Sequence, residues 1–423
     1  MAWALGAVTA IAMIFFSRAI AQCNDPMDCE LNGQCIDQTC VCNVGWRGSV
    51  CGELDLMPLP AGTAPGFVPM ASDSTHSVSC SWGGNLVENP AGSQHKWSMI
   101  TAAMLGHCGI DSWSTNSEVV LAVGDAPHGP FRYAKTLVPR FAHEPNVVHA
   151  PNGSLAMFYT SCGGCTMGPV TMCTPPDPAI WPWVTAEAAS TGATAARRSN
   201  SRRKATEPDQ SKWPPEGYMQ TWLAISPSGD PAGPWTAGVK LDIGDACIRT
   251  DLDTNFNAAI LPNGTLVGLW RCVETLNTTQ KGATVIHAVR AEEWDQPSSY
   301  TFSAHPAYPQ REFGTEDPFV WVAADGSVHA ILHDEDECCP PARSTNIGKH
   351  AYSTDGLSWH LSTSYAYNGT VAVRNGTPQT VVRRERPHML LAKDRTPLYL
   401  TNGVQPSAAS DWTFTLVQPI AGS

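Results

Sequence analysis

The sequence predicts an all-β chain, a five-bladed β-propeller with a small disulfide-rich module at its N-terminus, and three observations carry that prediction. The 423 residues include 35 Gly and 34 Pro but only 15% charged residues, and short β-branched and aromatic runs are split by turn residues with no long helical period. One hairpin phrase recurs along the chain. Glu316-Asp317-Pro318 opens the apolar run 319–324, Asp325-Gly326 makes the turn, and 328–332 returns. His143-Glu144-Pro145-Asn146 leads in the same way to Asn152-Gly153, Asn255-Phe256-Asn257 to Asn263-Gly264, and Glu385-Arg386-Pro387-His388 to Asp394. Finally, the repeats fall about sixty residues apart once one insertion is removed, which leaves room for about four strands in each. A lone four-stranded sheet cannot cover both of its faces, so five such units specify a propeller better than a sandwich.

In chain order, residues 2–16 are apolar, Arg18 follows, and Ala19-Ile20-Ala21 supplies the small-x-small pattern of a signal peptidase site. Residues 1–21 are read as a secretory signal, which makes the protein secreted; the alternative is an uncleaved membrane anchor, against which the short apolar run argues. After cleavage no membrane partner is expected. Sequons at Asn152, Asn263, Asn277 and Asn368 suit a secretory route. Residues 22–53 hold Cys23, Cys29, Cys35, Cys40, Cys42 and Cys51, a density typical of modules too short to bury a sufficient core. Residues 54–73 are rich in Pro, Gly and Ala and read as a linker.

The propeller is assigned to 74–423. Its least regular unit comes first, with Val78 to Trp82 followed by Gly83-Gly84-Asn85 where the other units carry their polar opening. Between the second and third units lies an insertion at about 176–215, with a basic run at Arg197, Arg198, Arg202, Arg203 and Lys204 that reads as a solvated, disordered segment. Nine cysteines lie outside the small module, an odd number, so at least one is free or pairs with another chain. The formal charge of −12 excludes nucleic acid and anionic membrane as partners. Cys162-Gly163-Gly164-Cys165 has no histidine close by, and the acidic run 334–337 reads as a solvated turn, so no metal and no cofactor are expected.

The ending Cys40-Val41-Cys42-Asn43-Val44-Gly45-Trp46, then Gly48 and Cys51, resembles an EGF-like domain over the whole cysteine-rich segment. The resemblance implies pairing of Cys23 with Cys35, Cys29 with Cys40 and Cys42 with Cys51. Ala21-Gln22 stands where the calcium-binding subtype carries acidic residues, so no calcium is expected there. Such a module is either a contact element for an extracellular protein or glycan, or a spacer.

The repeat number and strand openings over about 78–416 resemble the five-bladed sugar hydrolases of glycoside hydrolase family 43, and more distantly the invertases. The resemblance implies a general acid at Glu316 and substrate contacts from Arg386 and His388. The family's general base falls on Gly84 or Asn85, and its third-blade Asp on Asn255, and neither an amide nor a glycine can take a proton from water. Glu144 and Asp317 are the preferred substitutes among nearby carboxylates that include Asp111, Asp251 and Asp253. Asn255 is then a substrate contact, with His107 and Trp113 of a first-blade loop as further ones. Two functions follow. One is a secreted glycoside hydrolase acting on pentosyl or furanosyl linkages; the other is a non-catalytic carbohydrate-binding or adhesion protein with carbohydrate as its partner and the EGF-like module as a protein contact.

Overall fold

The structure is a computed structural model that describes residues 23–59, 66–69, 78–163, 168–174, 219–241, 255–274, 283–309, 314–335, 346–374 and 376–422. The segments read from the sequence as a signal and as an insertion, and Asp251, Asp253 and Asn277, lie outside the described residues.

Five antiparallel sheets form the propeller. Blade one runs outward through Cys80–Glu88, Trp97–Met104, Ser117–Gly124 and Arg132–Val138. Blade two uses Ala142–His149, Leu155–Ser161, Gln220–Ser226 and Val239–Lys240, and blade three Asn257–Ile260, Leu266–Glu274, Ala283–Ala291 and Tyr300–Pro306. Blade four has Thr315–Val322, Val328–Asp334, Asn346–Ser353 and His360–Asn368, and blade five has Arg383–Leu391, Pro397–Gln405 and Phe414–Pro419. The first strands of the five blades touch in cyclic order, the fifth closing back on the first. The recurrent hairpin is therefore the innermost pair of each blade, and its alternating apolar residues cover the neighbouring sheet. Phe158, Phe256 and Trp270 fill the space between blades two and three, and Leu269, Ile286, Val320 and Leu332 that between three and four.

Side-chain amides link adjacent innermost strands where backbone ladders cannot. Asn85 Nδ2 donates to the Pro145 carbonyl at 2.6 Å and its Oδ1 accepts from Val147 N at 3.0 Å. Asn257 Oδ1 likewise accepts from Val320 N at 2.8 Å. Blade five has three strands of its own, and the chain upstream of blade one supplies its outer pairing. Phe67 and Thr415 exchange backbone hydrogen bonds of 2.9 and 3.1 Å, and Leu56 bridges Ile420. The described part of the segment read as a free linker is thus fastened to the last strand. A Cβ on Gly66, which has φ +90°, would stand 2.0 Å from the Thr415 carbonyl, so only glycine allows that approach.

Residues 23–51 form the EGF-like module, with disulfides Cys23–Cys35, Cys29–Cys40 and Cys42–Cys51. A further bridge joins Cys108 to Cys173, and among the described residues Cys80 is free and buried. Asn152, Asn263 and Asn368 are exposed at turns or strand ends.

One face of the module is buried against blades four and five, where Cys29, Trp46 and Leu54 share a core with Trp321, Ile331, Met389 and Leu400. Trp46 stacks on Trp321 with ring centres 6.2 Å apart. Glu30 of the module is 4% exposed and enters blade four: its carboxylate accepts from His350 Nδ1 at 2.8 Å and from Ser362 Oγ at 2.5 Å. Because His350 Nδ1 donates, its Nε2 is the acceptor for Asn32 Nδ2 at 3.2 Å and His329 Nδ1 at 3.0 Å. Burial, reinforced by His350, holds the His329 pKa well below its ordinary value of 6.5.

Two outcomes are expected. Glu30→Ala orphans two buried donors at about 1–3 kcal/mol each, lowering Tm in calorimetry by more than any surface Glu→Ala change. A His with a depressed folded pKa binds fewer protons folded than unfolded, so stability is lost as pH falls below about 6.5. A plot of Tm against pH should slope less on that acid side in His329→Gln.

Candidate functional site

Four of the five innermost strands enter the sheet through a bulge. The pairing register slips between Trp82 and Asn85, between the partners of His143 and Asn146, between Glu316 and Phe319, and between Glu385 and His388. At each slip, and at the entry to the blade-three strand, one residue takes positive φ: Gly83 at 69°, Glu144 at 53°, Asn255 at 42°, Asp317 at 55° and Arg386 at 52°. These five positions are equivalent. Three of them precede proline (Pro145, Pro318, Pro387), where left-handed backbone is disfavoured, so the strain is held by what the side chains meet.

They meet one another. The Arg386 guanidinium contacts the Glu144 carboxylate, and the same nitrogen lies 3.5 Å from Asp317 Oδ1. Asp317 Oδ2 also accepts from the Arg386 backbone N at 3.2 Å. Asn255 Nδ2 donates to Glu144 Oε1 at 2.5 Å. Blade one contributes space, since a Cβ on Gly83 would come within 3.0 Å of Arg386 Cβ. The side chains of Glu144, Asp317 and Arg386 are 6%, 3% and 13% exposed, so this is a buried ionic ring. Burial pushes the Arg386 pKa down, but a guanidinium stays protonated in proteins, and the two carboxylates are its counter-charges. The cavity lined by the ring, Trp82 and His388 has a volume of about 20 Å³. That is room for one water and not for a sugar.

Below the ring the axial channel widens to about 1100 Å³, walled by Val147, Ala259, Phe319, Trp321 and Met389. His388 stands at the junction, edge-on to Phe319 with centres 5.5 Å apart, and burial lowers its pKa to about 4, which leaves the imidazole neutral.

Glu316, the expected acid, points out of the ring into blade four. It pairs with Arg271, and its Oε1 accepts from His333 Nδ1 at 3.0 Å. Burial raises its carboxyl, but Arg271 and His333 outweigh that and hold it at about 2. A group so acidic carries no proton to donate at neutral pH, which is the opposite of what a general acid needs. His333 shows the complementary effect: burial lowers it, yet Glu385 and Glu316 raise it to about 9. Burial raises the Glu385 carboxyl. Trp113 packs in the core with Cys80, Trp82 and Ile110, 5.1 Å from the His143 ring. His107 has φ +61° beside the Cys108–Cys173 bridge, and neither His107 nor Trp113 lines the ring cavity.

Sequence reasoning selects Glu144, Asp317, Asn255, Arg386 and His388, which the structure brings together, and Glu316, which the structure sets apart. It misses Arg271, His333 and Glu385. Glu385 had a visible signal, because Glu385-Arg386-Pro387 repeats Glu316-Asp317-Pro318.

No protein-family model and no curated protein matches the chain. Solved structures similar to it include the catalytic domain of a Coprinopsis cinerea GH62 alpha-L-arabinofuranosidase, 10% identical over 86% of this chain and 98% of that one, with a TM-score of 0.49. A protein of unknown function from Dyadobacter fermentans is 9% identical over 81% and 94%, with a TM-score of 0.48. A Penicillium chrysogenum alpha-L-arabinanase complexed with arabinobiose is 10% identical over 82% and 79%, with a TM-score of 0.44. No residue role is taken from these similarities.

Removing one partner of a buried ion pair costs about 3–5 kcal/mol. Arg386→Ala is therefore expected to lower unfolding free energy by that amount in urea titration, and Glu144→Gln in the same chain to recover part of it. A loss below about 1 kcal/mol would show that the ring is not held by its charges.

Proposed function

We propose that this is an extracellular carbohydrate-binding propeller that does not cleave its ligand with paired carboxylates. The observation that carries the reading is the ring itself. Both of its carboxylates are bound to Arg386, and the blade-one residue equivalent to them is Gly83, one before the Gly84 or Asn85 expected from the sequence and without a side chain to activate water. General base catalysis needs a carboxylate free to take a proton from water, and glycosidases need two carboxyl groups placed on either side of the scissile bond. Neither requirement is supported by a ring whose two carboxylates share one guanidinium.

Sugar recognition asks for less. Hydroxyl groups are bound by convergent donors and acceptors, and the pyranose or furanose face by an aromatic surface. The ring cavity is too tight for a sugar, but the channel below it has the room: Asn146 and His149 offer polar groups there, and Phe319 and Trp321 line the same wall. The three disulfides of the EGF-like module support an oxidising, extracellular setting.

The test pairs calorimetry with a turnover assay, using soluble oligosaccharides of arabinan, xylan and fructan and a set of aryl pentosides. Binding of at least one oligosaccharide without release of product is expected, with Asn146→Ala, which removes a channel-lining amide whose Nδ2 is otherwise unpartnered, weakening it about tenfold, the loss of one hydrogen bond of about 1.4 kcal/mol. Turnover that disappears in Glu144→Gln or Glu316→Gln would replace this reading with hydrolysis.

A further inference from the structure

Beside the ring, between blades four and five, four side chains bring metal-ligating atoms within 4.8 Å of one another: Glu316, Asp317, His333 and Glu385. Three features separate this cluster from an ordinary acidic patch. It is interior, with the His333 side chain 1% exposed, Asp317 3%, Glu385 14% and Glu316 17%. His333 is oriented, because Nδ1 faces Glu316 Oε1 at 3.0 Å, and that turns Nε2 toward Glu385. Lastly, His333 Nε2 is buried without a hydrogen-bond partner, and Glu385 Oε1 lies 4.0 Å from it. That gap is too long for a hydrogen bond. It fits two ligands of one ion, since imidazole nitrogen and carboxylate oxygen sit about 2.0–2.2 Å from a zinc-sized cation and so up to about 4.2 Å from each other.

A carboxylate that holds one imidazole nitrogen so that the other can bind is the recurrent outer support of histidine–metal sites. The local charge points the same way. Glu144, Glu316, Asp317 and Glu385 set four carboxylates against the guanidiniums of Arg271 and Arg386, so an ion that displaces the proton of His333 meets a surplus of two negative charges. Buried charge is costly unless compensated, and one divalent cation cancels that surplus.

We propose that His333 Nε2, Glu385 and Asp317 bind one divalent transition-metal cation of the zinc or manganese kind, with Glu316 as the outer carboxylate that orients His333. The mixed nitrogen and oxygen donor set favours such ions over calcium, which takes oxygen ligands in larger number. This goes beyond the carbohydrate reading and does not depend on it. The site is off the propeller axis, its ligands coming from the first and second strands of blade four and the first strand of blade five.

The experiment uses the full secreted chain, stripped with a chelator and dialysed, then titrated with Zn²⁺, Mn²⁺ or Ca²⁺. One equivalent of Zn²⁺ or Mn²⁺ should survive gel filtration by elemental analysis and raise Tm, with at least tenfold weaker binding in Glu385→Gln and in His333→Gln. Should either variant fail to fold, the wild-type Mn²⁺ complex still decides: pulsed EPR should show coupling to one imidazole ¹⁴N. Absence of stoichiometric metal, binding of Ca²⁺ alone, retention of the metal in both folded variants, or a Mn²⁺ signal without nitrogen coupling would each overturn the proposal.

Discussion

Everything at the centre of this propeller depends on Arg386. Five innermost strands converge on one axis, each delivering a left-handed residue, and two of those residues carry a negative charge into an environment nearly closed to water. Two buried carboxylates side by side would repel each other and lose their hydration; a single guanidinium from the fifth blade answers both. Its reach requires that the fifth position have no side chain, which is why Gly83 belongs to the same arrangement as the four polar residues. The chemistry of the funnel follows. With both carboxylates on one guanidinium, the ring holds no free base.

Much of this was legible in the sequence, and the limits have physical causes. The hairpin repeat exposed the innermost strands because burial against neighbouring blades forces the same apolar alternation four times over. The ring positions were legible for the same reason: Glu144, Asn255, Asp317 and Arg386 occupy one slot in one repeated phrase. What the phrase could not give was direction. Glu316 and Asp317 are adjacent, yet the bulge sends one carboxylate to the axis and the other back between strands toward Arg271 and His333. A bulge is a property of strand pairing, and nothing in the local sequence marks which of two neighbouring carboxylates it turns inward. Arg271 and His333 were out of reach because they come from second strands, whose register with the first is fixed only in three dimensions.

The EGF-like module shows a related gap. Its cysteine pattern resembles an EGF-like domain and the resemblance implied the disulfide pairing, but the pattern is silent on the outward face, and the face turned toward the propeller proved to carry a buried acid and a stacked tryptophan. Glu30 sits at a hydrogen-bonded node with His350 and Ser362, and Trp46 extends an aromatic stack through Trp321 and His329. A module tied in this way is part of the propeller's core, and any partner it has must approach the side left exposed.

The clasp between Phe67 and Thr415 bears on how the chain reaches this state. Thr415 also donates from its backbone N to Ser81 Oγ at 2.9 Å, 334 residues away in sequence, and Phe67 ahead of blade one pairs with it too, so the last blade is finished by material made before the first. Contacts that close so long a loop pay their chain entropy before they return any stabilisation. The ring of blades is therefore an open arc until its final strand is in place. The lifetime of the folded molecule is set by how tightly that one seam stays shut.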